Sequence, residues 1–194
     1  MAYQALQSKQ IYIGYNGTPR LPSAYQEVEY LQSQNVGESL YYSSLAPYID
    51  TWFVPDENTK VEFKIWWWTQ QWSYQMFGVR EFWNNNWRWF AIVSDAYQFD
   101  TPYILAHWMI DWNIHTGSFG QDWFYVDGDL KTTPPTATFT APRNLYLFWL
   151  NDNGLFREYA YIKYYSFKIY DNWTLVRDFI PCYQKYQQQN WNNN

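Results

Sequence analysis

YAYIKYYSFKIYDNWTLVRDFIPCY, residues 159–183, decides how the chain is read. Ile162, Tyr164, Ser166, Lys168 and Tyr170 fall on one face of an extended chain, and Tyr161, Lys163, Tyr165, Phe167 and Ile169 on the other. Period-two spacing with tyrosines and β-branched residues suits a pleated strand. Asp171-Asn172-Trp173 is the reversal. Leu175, Arg177 and Phe179 then alternate with Val176, Asp178 and Ile180, and Pro181 is expected to end the pairing. Strands this long need neighbours and a second sheet to cover their apolar face.

Working outward, 194 residues suit one domain with a sizeable core. Aromatic residues make up 24%, with 14 Trp, 20 Tyr and 13 Phe. Strand formers abound and helix formers are scarce, so the expected class is all-β, an antiparallel β-sandwich. A net charge of −5 argues against a nucleic-acid surface, which needs a clustered basic patch. No run of 18 apolar residues exists, so no membrane span is expected. MAYQALQSKQ lacks a basic-then-apolar leader, and Cys182 is the single cysteine, so no intrachain disulfide is possible. Both fit a protein made in a bacterial cytoplasm and assembled into a particle.

Taken in order, residues 1–20 form an arm with one short strand expected at 10–14 and a turn at Asn16-Gly17-Thr18-Pro19. Leu6, Ile11, Tyr12 and Ile13 are its candidate contact residues, and residues 1–15 are expected to contact a neighbouring subunit rather than their own core. The sandwich is expected over 21–183, with strands at 25–31, 48–54, 59–69, 74–80, 89–94, 103–108, 109–115, 136–140 and 144–150. Residues 33–47, 81–87 (EFWNNNW) and 151–154 read as loops. Asp127-Gly128 between 123–126 and 129–132 marks the clearest hairpin, because Asp-Gly favours a type I′ reversal. Residues 184–194, QKYQQQNWNNN, form a polar low-complexity tail.

YSFKIYDN-TLVRDFIPC, with LPSAYQEVEYLQS (residues 21–33), YIDT (48–51) and TKVEF (59–63), resembles a LamG-like, concanavalin A-like jelly-roll module. Such modules occur in virion proteins of gut bacteriophages and in surface proteins of gut bacteria. The segments lie in that family's order and span residues 21–182. The resemblance implies a jelly-roll connectivity and a virion or bacterial cell surface. Three tryptophans depart from it: Trp52 and Trp173 stand where such modules usually hold glycine, and Trp149 where a small residue is usual. A type I′ turn at Asn172-Trp173 would need φ above zero at both residues, which strains Trp and leaves a loop of another type open.

Candidate chemistry is thin. Jelly-roll glycosidases resembling this module carry two carboxylates in a Glu-x-Asp-x-x-Glu run, and none is present. Glu27-Val28-Glu29 reads as a solvated strand face. His107 and His115 have no Ser or Cys in a recognisable triad context, and Cys182 reads as a packed small residue. Calcium, held by some relatives, would draw on Asp95, Asp100, Asp111, Asp122, Asp127 and Asp129, yet these form no loop signature and read as turn acids, so no cofactor is assigned. Trp83, Asn85 and Trp87 combine aromatic faces with amides and are the candidate carbohydrate site, against packing into a core or onto a neighbour, which has the stronger claim. The expected function is a non-enzymatic structural or adhesion module displayed on a phage particle, with other virion subunits as partners and host-surface glycans as ligands. The alternatives are a glycan-cleaving jelly-roll enzyme and a bacterial surface adhesin or filament subunit.

Overall fold

The computed structural model describes residues 9–14, 25–27, 29–32, 48–67, 75–83, 86–93, 96–100, 103–105, 109, 111–120, 123–133, 138, 140–141, 143–159 and 162–184. They contain strands and connecting turns and no α-helix. The strands are β1 Lys9–Gly14, β2 Tyr25–Glu27, β3 Leu31–Gln32, β4 Ile49–Asp50, β5 Thr59–Trp67, β6 Gln75–Trp83, β7 Asn86–Val93, β8 Ala96–Asp100 and β9 Tyr103–Leu105. They continue with β10 Ile114–Gly120, β11 Trp123–Val126, β12 Asp129–Thr132, β13 Tyr146–Leu147, β14 Trp149–Asp152, β15 Leu155–Tyr159, β16 Ile162–Asp171 and β17 Thr174–Gln184.

They form two sheets. The nine-stranded sheet runs β1-β17-β16-β5-β10-β11-β12, with β2 paired to β17 and β3 to β16. The eight-stranded sheet runs β15-β14-β6-β7-β8-β9, with β13 joining β4 to β6. The inner faces meet around Phe77 of β6, whose ring lies 5.7 Å from Phe63, 6.1 Å from Phe119 and 5.1 Å from Phe167. All four side chains are buried, and tilted or edge-on rings add about 0.5–1.5 kcal/mol per pair beyond the area they bury.

The β16–β17 hairpin is present, but its faces are not those of strict alternation. The register of β16 against β5 shifts between Tyr164 and Ser166. A bulge sets two residues against one and reverses the phase beyond it. Ile162 and Tyr164 therefore share the core face with Phe167 and Ile169, while Ser166 and Lys168 turn outward. The switch buries a Phe and an Ile in place of a Ser and a Lys. Tyr164 is fully buried and donates its hydroxyl to the Met76 carbonyl at 2.7 Å, tying β16 to the opposite sheet. Burial holds its phenol well above the ordinary range, so it remains a donor.

Several other expectations are corrected. Pro181 lies inside β17: pairing with β16 stops at Phe179 and pairing with β2 starts at Cys182. On that side of β17 Pro181 falls between two partners, and on the other side it stands opposite Ile11 of β1. Residues 9–14 pair with β17 of their own chain, Ile11 opposite Pro181, so this part of the arm is an edge strand of its own sheet. Backbone groups left open along the β17 edge give it that partner. Of the expected loop 81–87, residues 81–83 end β6 and 86–87 begin β7, with Trp83 opposite Asn86, while 84–85 lie outside the described residues. Asn151 and Asp152 belong to β14, and the turn is Asn153-Gly154. The strand expected at 109–115 lies later, at β10, and β8 and β15 were not foreseen. The strand at 144–150 breaks at Phe148, φ +69, where pairing with β6 changes from antiparallel to parallel. At 136–140 only a bridge from Asp56 to Thr140 is described. Leu6, Asn16-Gly17-Thr18-Pro19, residues 33–47 and residues 185–194 lie outside the described residues.

β10 was hidden by its glycines, which weaken strand propensity. Gly117 is required, because a Cβ there would lie 2.1 Å from the Phe63 ring. Gly117→Ala should lower unfolding free energy by about 1–3 kcal/mol, the usual range for overpacking a filled core. Urea denaturation checks this, and a variant within 0.5 kcal/mol of the native chain, about the size of an ordinary surface change, would mean that Phe63 moves aside freely.

Candidate ligand-binding face

The outward face of the nine-stranded sheet is built in cross-strand rows. In the first, Lys60 of β5 stands opposite Tyr170 of β16 and Gly120 of β10, and Gly120 stands opposite Trp123 of β11. The second places Asp178, Lys168, Glu62, Ser118 and Tyr125 side by side across neighbouring strands. The third holds Ser166, Lys64 and Thr116, and the fourth Lys163, Trp66 and Ile114. Residues i and i+2 of a strand share a face, so these rows follow from the alternation of β5 and β10.

Aromatic rings occupy the ends of this face. At one end Trp173 projects from the β16–β17 turn, 76% exposed, and stacks on Trp123 with centroids 6.3 Å apart and planes at 29°. Lys60 sits under them, 5.4 Å from Trp123, 4.9 Å from Tyr170 and 5.5 Å from Trp173. Asn58 and Asn172 border the small cleft that results, about 170 Å³. At the other end Lys163 lies between Tyr30, at 4.4 Å, and Trp66, at 4.8 Å. Trp66 donates its indole N–H to the Trp112 carbonyl, which sets the ring's orientation. Between the ends the small side chains Ser166, Ser118 and Thr116 leave an open groove of about 470 Å³, flanked by Tyr125, Lys64 and Lys168.

The turn that carries Trp173 has φ +45 at Asn172 and +67 at Trp173. It therefore has the positive-φ pair of a type I′ turn, and the tryptophan is held on left-handed backbone. Trp52, the other residue at a site usually glycine in the resembling modules, has φ +49. Its N–H bonds the Asp50 carboxylate at 2.8 Å and its carbonyl accepts from Arg177. The hairpin at Asp127-Gly128 is as expected, with φ +53 and +86.

Electrostatics divide the face. Glu62 is partly desolvated, which alone would raise its pKa. Hydrogen bonds from Lys60, 2.6 Å, and Tyr170, 2.8 Å, outweigh this and hold it below the usual range. Tyr170 is pushed up to about 12 by burial and by Glu62. Asp178 is raised by burial, with Lys168 at 3.7 Å opposing.

Beside the groove His115 is gripped by two carboxylates, Nδ1 to Asp127 at 2.6 Å and Nε2 to Asp111 at 2.6 Å. Two acceptors on one ring require both nitrogens to donate, so the imidazolium is the form that fits. Burial would depress its pKa, but the hydrogen bonds from Asp127 and Asp111 raise it. Asp111 is lowered to about 2, first by its bond with His115, and Asp127 is lowered against its own desolvation by the same partner. Asp127 also accepts the Thr116 N–H at 2.8 Å, fixing the wall of the groove.

The residues singled out from sequence are not gathered here. Trp83 and Trp87 lie in β6 and β7 of the other sheet, and Asn85 lies outside the described residues. Glu27 and Glu29 are exposed. Of the candidate calcium ligands, Asp111 and Asp127 hold His115, Asp129 meets Lys131 at 3.3 Å, Asp100 is in β8, and Asp95 and Asp122 lie outside the described residues, as does His107. Among the described residues no group of three or more His, Cys, Asp and Glu side chains could hold a metal ion. Sequence reading missed Lys60, Trp123 and Trp173 as a unit, since each comes from a different hairpin or strand. The alternating lysines of β5, Lys60 and Lys64, were the available signal.

The clamp sets a pH dependence. The raised His115 pKa contributes stability that is complete below about 6.5, the unfolded value, and is lost as pH rises through the folded value. The lowered Asp111 contributes stability present above the unfolded value of 3.8 and lost as pH falls toward about 2. The Tm difference between the native chain and His115→Gln should therefore be largest from about pH 4 to 6.5 and shrink on both sides. Thermal melts across pH 2.5–9 measure it; a difference independent of pH would show the clamp uncharged.

No protein-family model, curated protein or solved structure matches this chain, so its resemblance to LamG-like modules rests on the quoted segments.

Proposed function

We propose that the chain is a non-enzymatic adhesion module displayed on a phage particle, of decoration or fibre type, that takes glycan on the outer face of its nine-stranded sheet. The observation that carries the binding reading is the Trp123–Trp173 stack, its Trp173 ring open to solvent, over a small cleft on the same face as the groove. An exposed indole on strained backbone has no part in the core. Flat apolar rings with amides and hydroxyls beside them suit the apolar faces and hydroxyl rims of sugars. The particle setting comes from the resemblance, which also carries the jelly-roll connectivity and covers bacterial surface proteins. β1 is the edge of its sheet, and its outer side is where a strand of a neighbouring subunit would add, with Ile11, Tyr12 and Ile13 in that contact.

One observation favours a glycan-cleaving enzyme instead. Glu62 and Asp178 share a row two strands apart, about 9–10 Å between backbones, and their pKa values move in opposite directions. That is the pattern of a base and an acid. Lys168 stands between them, however, and Glu62 is already bound to Lys60 and Tyr170. This leaves neither carboxylate free to flank a sugar.

Trp173→Gly separates stability from binding. It removes left-handed strain of about 1–2 kcal/mol, so Tm should not fall, while loss of the stacking ring should weaken glycan binding about tenfold. Glycan-array screening followed by calorimetry on the native chain and the variant measures both. Unchanged affinity would remove this face from the reading, and release of reducing sugar that stops in Glu62→Gln or Asp178→Asn would favour the enzyme.

A further inference from the structure

We infer that the ligand is an acidic polysaccharide chain lying along the whole face, parallel to β5 from Trp173 to Trp66, and not a short or neutral sugar. This rests on the glycan-binding reading above and goes beyond it in length and in charge.

Length follows from the spacing of the rings. Lys60 and Trp66 mark the two aromatic ends, six residues apart on β5. At about 3.3 Å per residue the ends are separated by about 20 Å. A single sugar reaches one end only. The stretch between is the groove, where Ser118 and Thr116 of β10 keep a low path beside Glu62 and Lys64 of β5. Both ends hold their rings in place: Trp123 and Trp173 stack on each other, and Trp66 is bonded to the Trp112 carbonyl. Rings held in advance lose little side-chain entropy when a ligand stacks on them.

Charge follows from the lysines. The chain carries −5 overall, yet Lys60, Lys64, Lys163 and Lys168 all stand on this face, with Glu62 and Asp178 among them, Glu57 at the rim of the Trp173 cleft and Glu29 near Tyr165. Glu62 bonds Lys60, and Asp178 lies nearest Lys168. Lys64 and Lys163 are left without a carboxylate partner among the described residues, and they belong to the third and fourth rows, on one side of the groove. Ammonium groups positioned along a ligand path are complementary to carboxylates or sulfates repeated along a chain. A nucleic acid would share the negative charge and the stacking. It is disfavoured by the net charge of −5 and by the absence of arginine from the four rows.

The test is calorimetry on the full chain with isomalto-oligosaccharides of two to eight units, the same oligosaccharides sulfated, oligogalacturonates of equal lengths, and oligo-dT. Affinity for the sulfated or uronate series should rise with length until the face is spanned and should fall with added salt. Trp173→Gly and Trp66→Ala should each weaken the longest acidic oligomer about tenfold or more, and Lys64→Gln with Lys163→Gln should reduce the salt dependence while leaving Tm unchanged. Trp66→Ala touches a partly packed ring, so the lysine pair keeps the far end testable if that variant unfolds. Equal affinity for neutral and acidic chains would overturn the charge inference and leave glycan binding standing. Affinity independent of length, lost only in Trp173→Gly, would overturn the extended path. Tighter binding of oligo-dT than of any sugar would replace the polysaccharide with nucleic acid, and no binding of any probe would overturn this inference and the glycan-binding reading together.

Discussion

The bulge in β16 is the constraint on which the rest depends. One residue is spent between Tyr164 and Ser166, and the strand changes which face it shows. Before the bulge, Tyr164 reaches through the core to the Met76 carbonyl; after it, Phe167 and Ile169 close the aromatic centre around Phe77. Without the shift, Lys168 would point into a dry core and Phe167 into water. A buried, unpaired ammonium is far more costly than a local break in a ladder. The bulge therefore decides both the packing of the sheets and the chemistry of the outer face.

That outer face is the complement of the core on the same strands. Val61, Phe63 and Ile65 of β5 point inward, so Lys60, Glu62, Lys64 and Trp66 must point outward. Gly117 of β10 lets Phe63 fill the core beneath it, and Ser118 and Thr116 keep the surface beside it low. A groove forms where the small residues of β10 and Ser166 of β16 lie on either side of β5. Aromatic residues mark its two ends because the turn at Asn172-Trp173 carries one tryptophan and Trp66 of β5 meets Trp112, just before β10, at the other.

The His115 clamp links the loop before β10 to the β11–β12 turn. Asp111 and Asp127 come from either side of the strand and meet on one ring. Asp127 also holds the Thr116 N–H and starts the turn that continues into Gly128 at the groove. The imidazole itself lies on the inward side of β10, opposite Ile65, and reaches the groove only through Asp127. Its role is to keep a short hairpin at the edge of a sheet from fraying, where few neighbours would otherwise hold it.

Much of the fold was legible because alternation and turn chemistry are local. Val61, Phe63 and Ile65 announce a half-buried strand, Asp127-Gly128 announces its turn, and Tyr164 to Ile180 announces a long hairpin. Those readings need only the period of a strand and the φ preference of glycine. The bulge, the strand β10 and the place of Pro181 were not legible. Each depends on which residue stands opposite on another strand, and pairing partners far apart in sequence leave no local mark. The candidate site lay wholly in that second class: Trp83 and Trp87 look like a platform in sequence but lie in the other sheet, whereas Lys60, Trp123 and Trp173 are scattered along the chain and meet only in the folded sheet. By itself the sequence determined an all-β chain with an aromatic core, because side-chain periodicity is a property of the strand. Tertiary structure alone decided the register, and with it which residues face a ligand together, because a shift of one residue exchanges the two faces of a sheet.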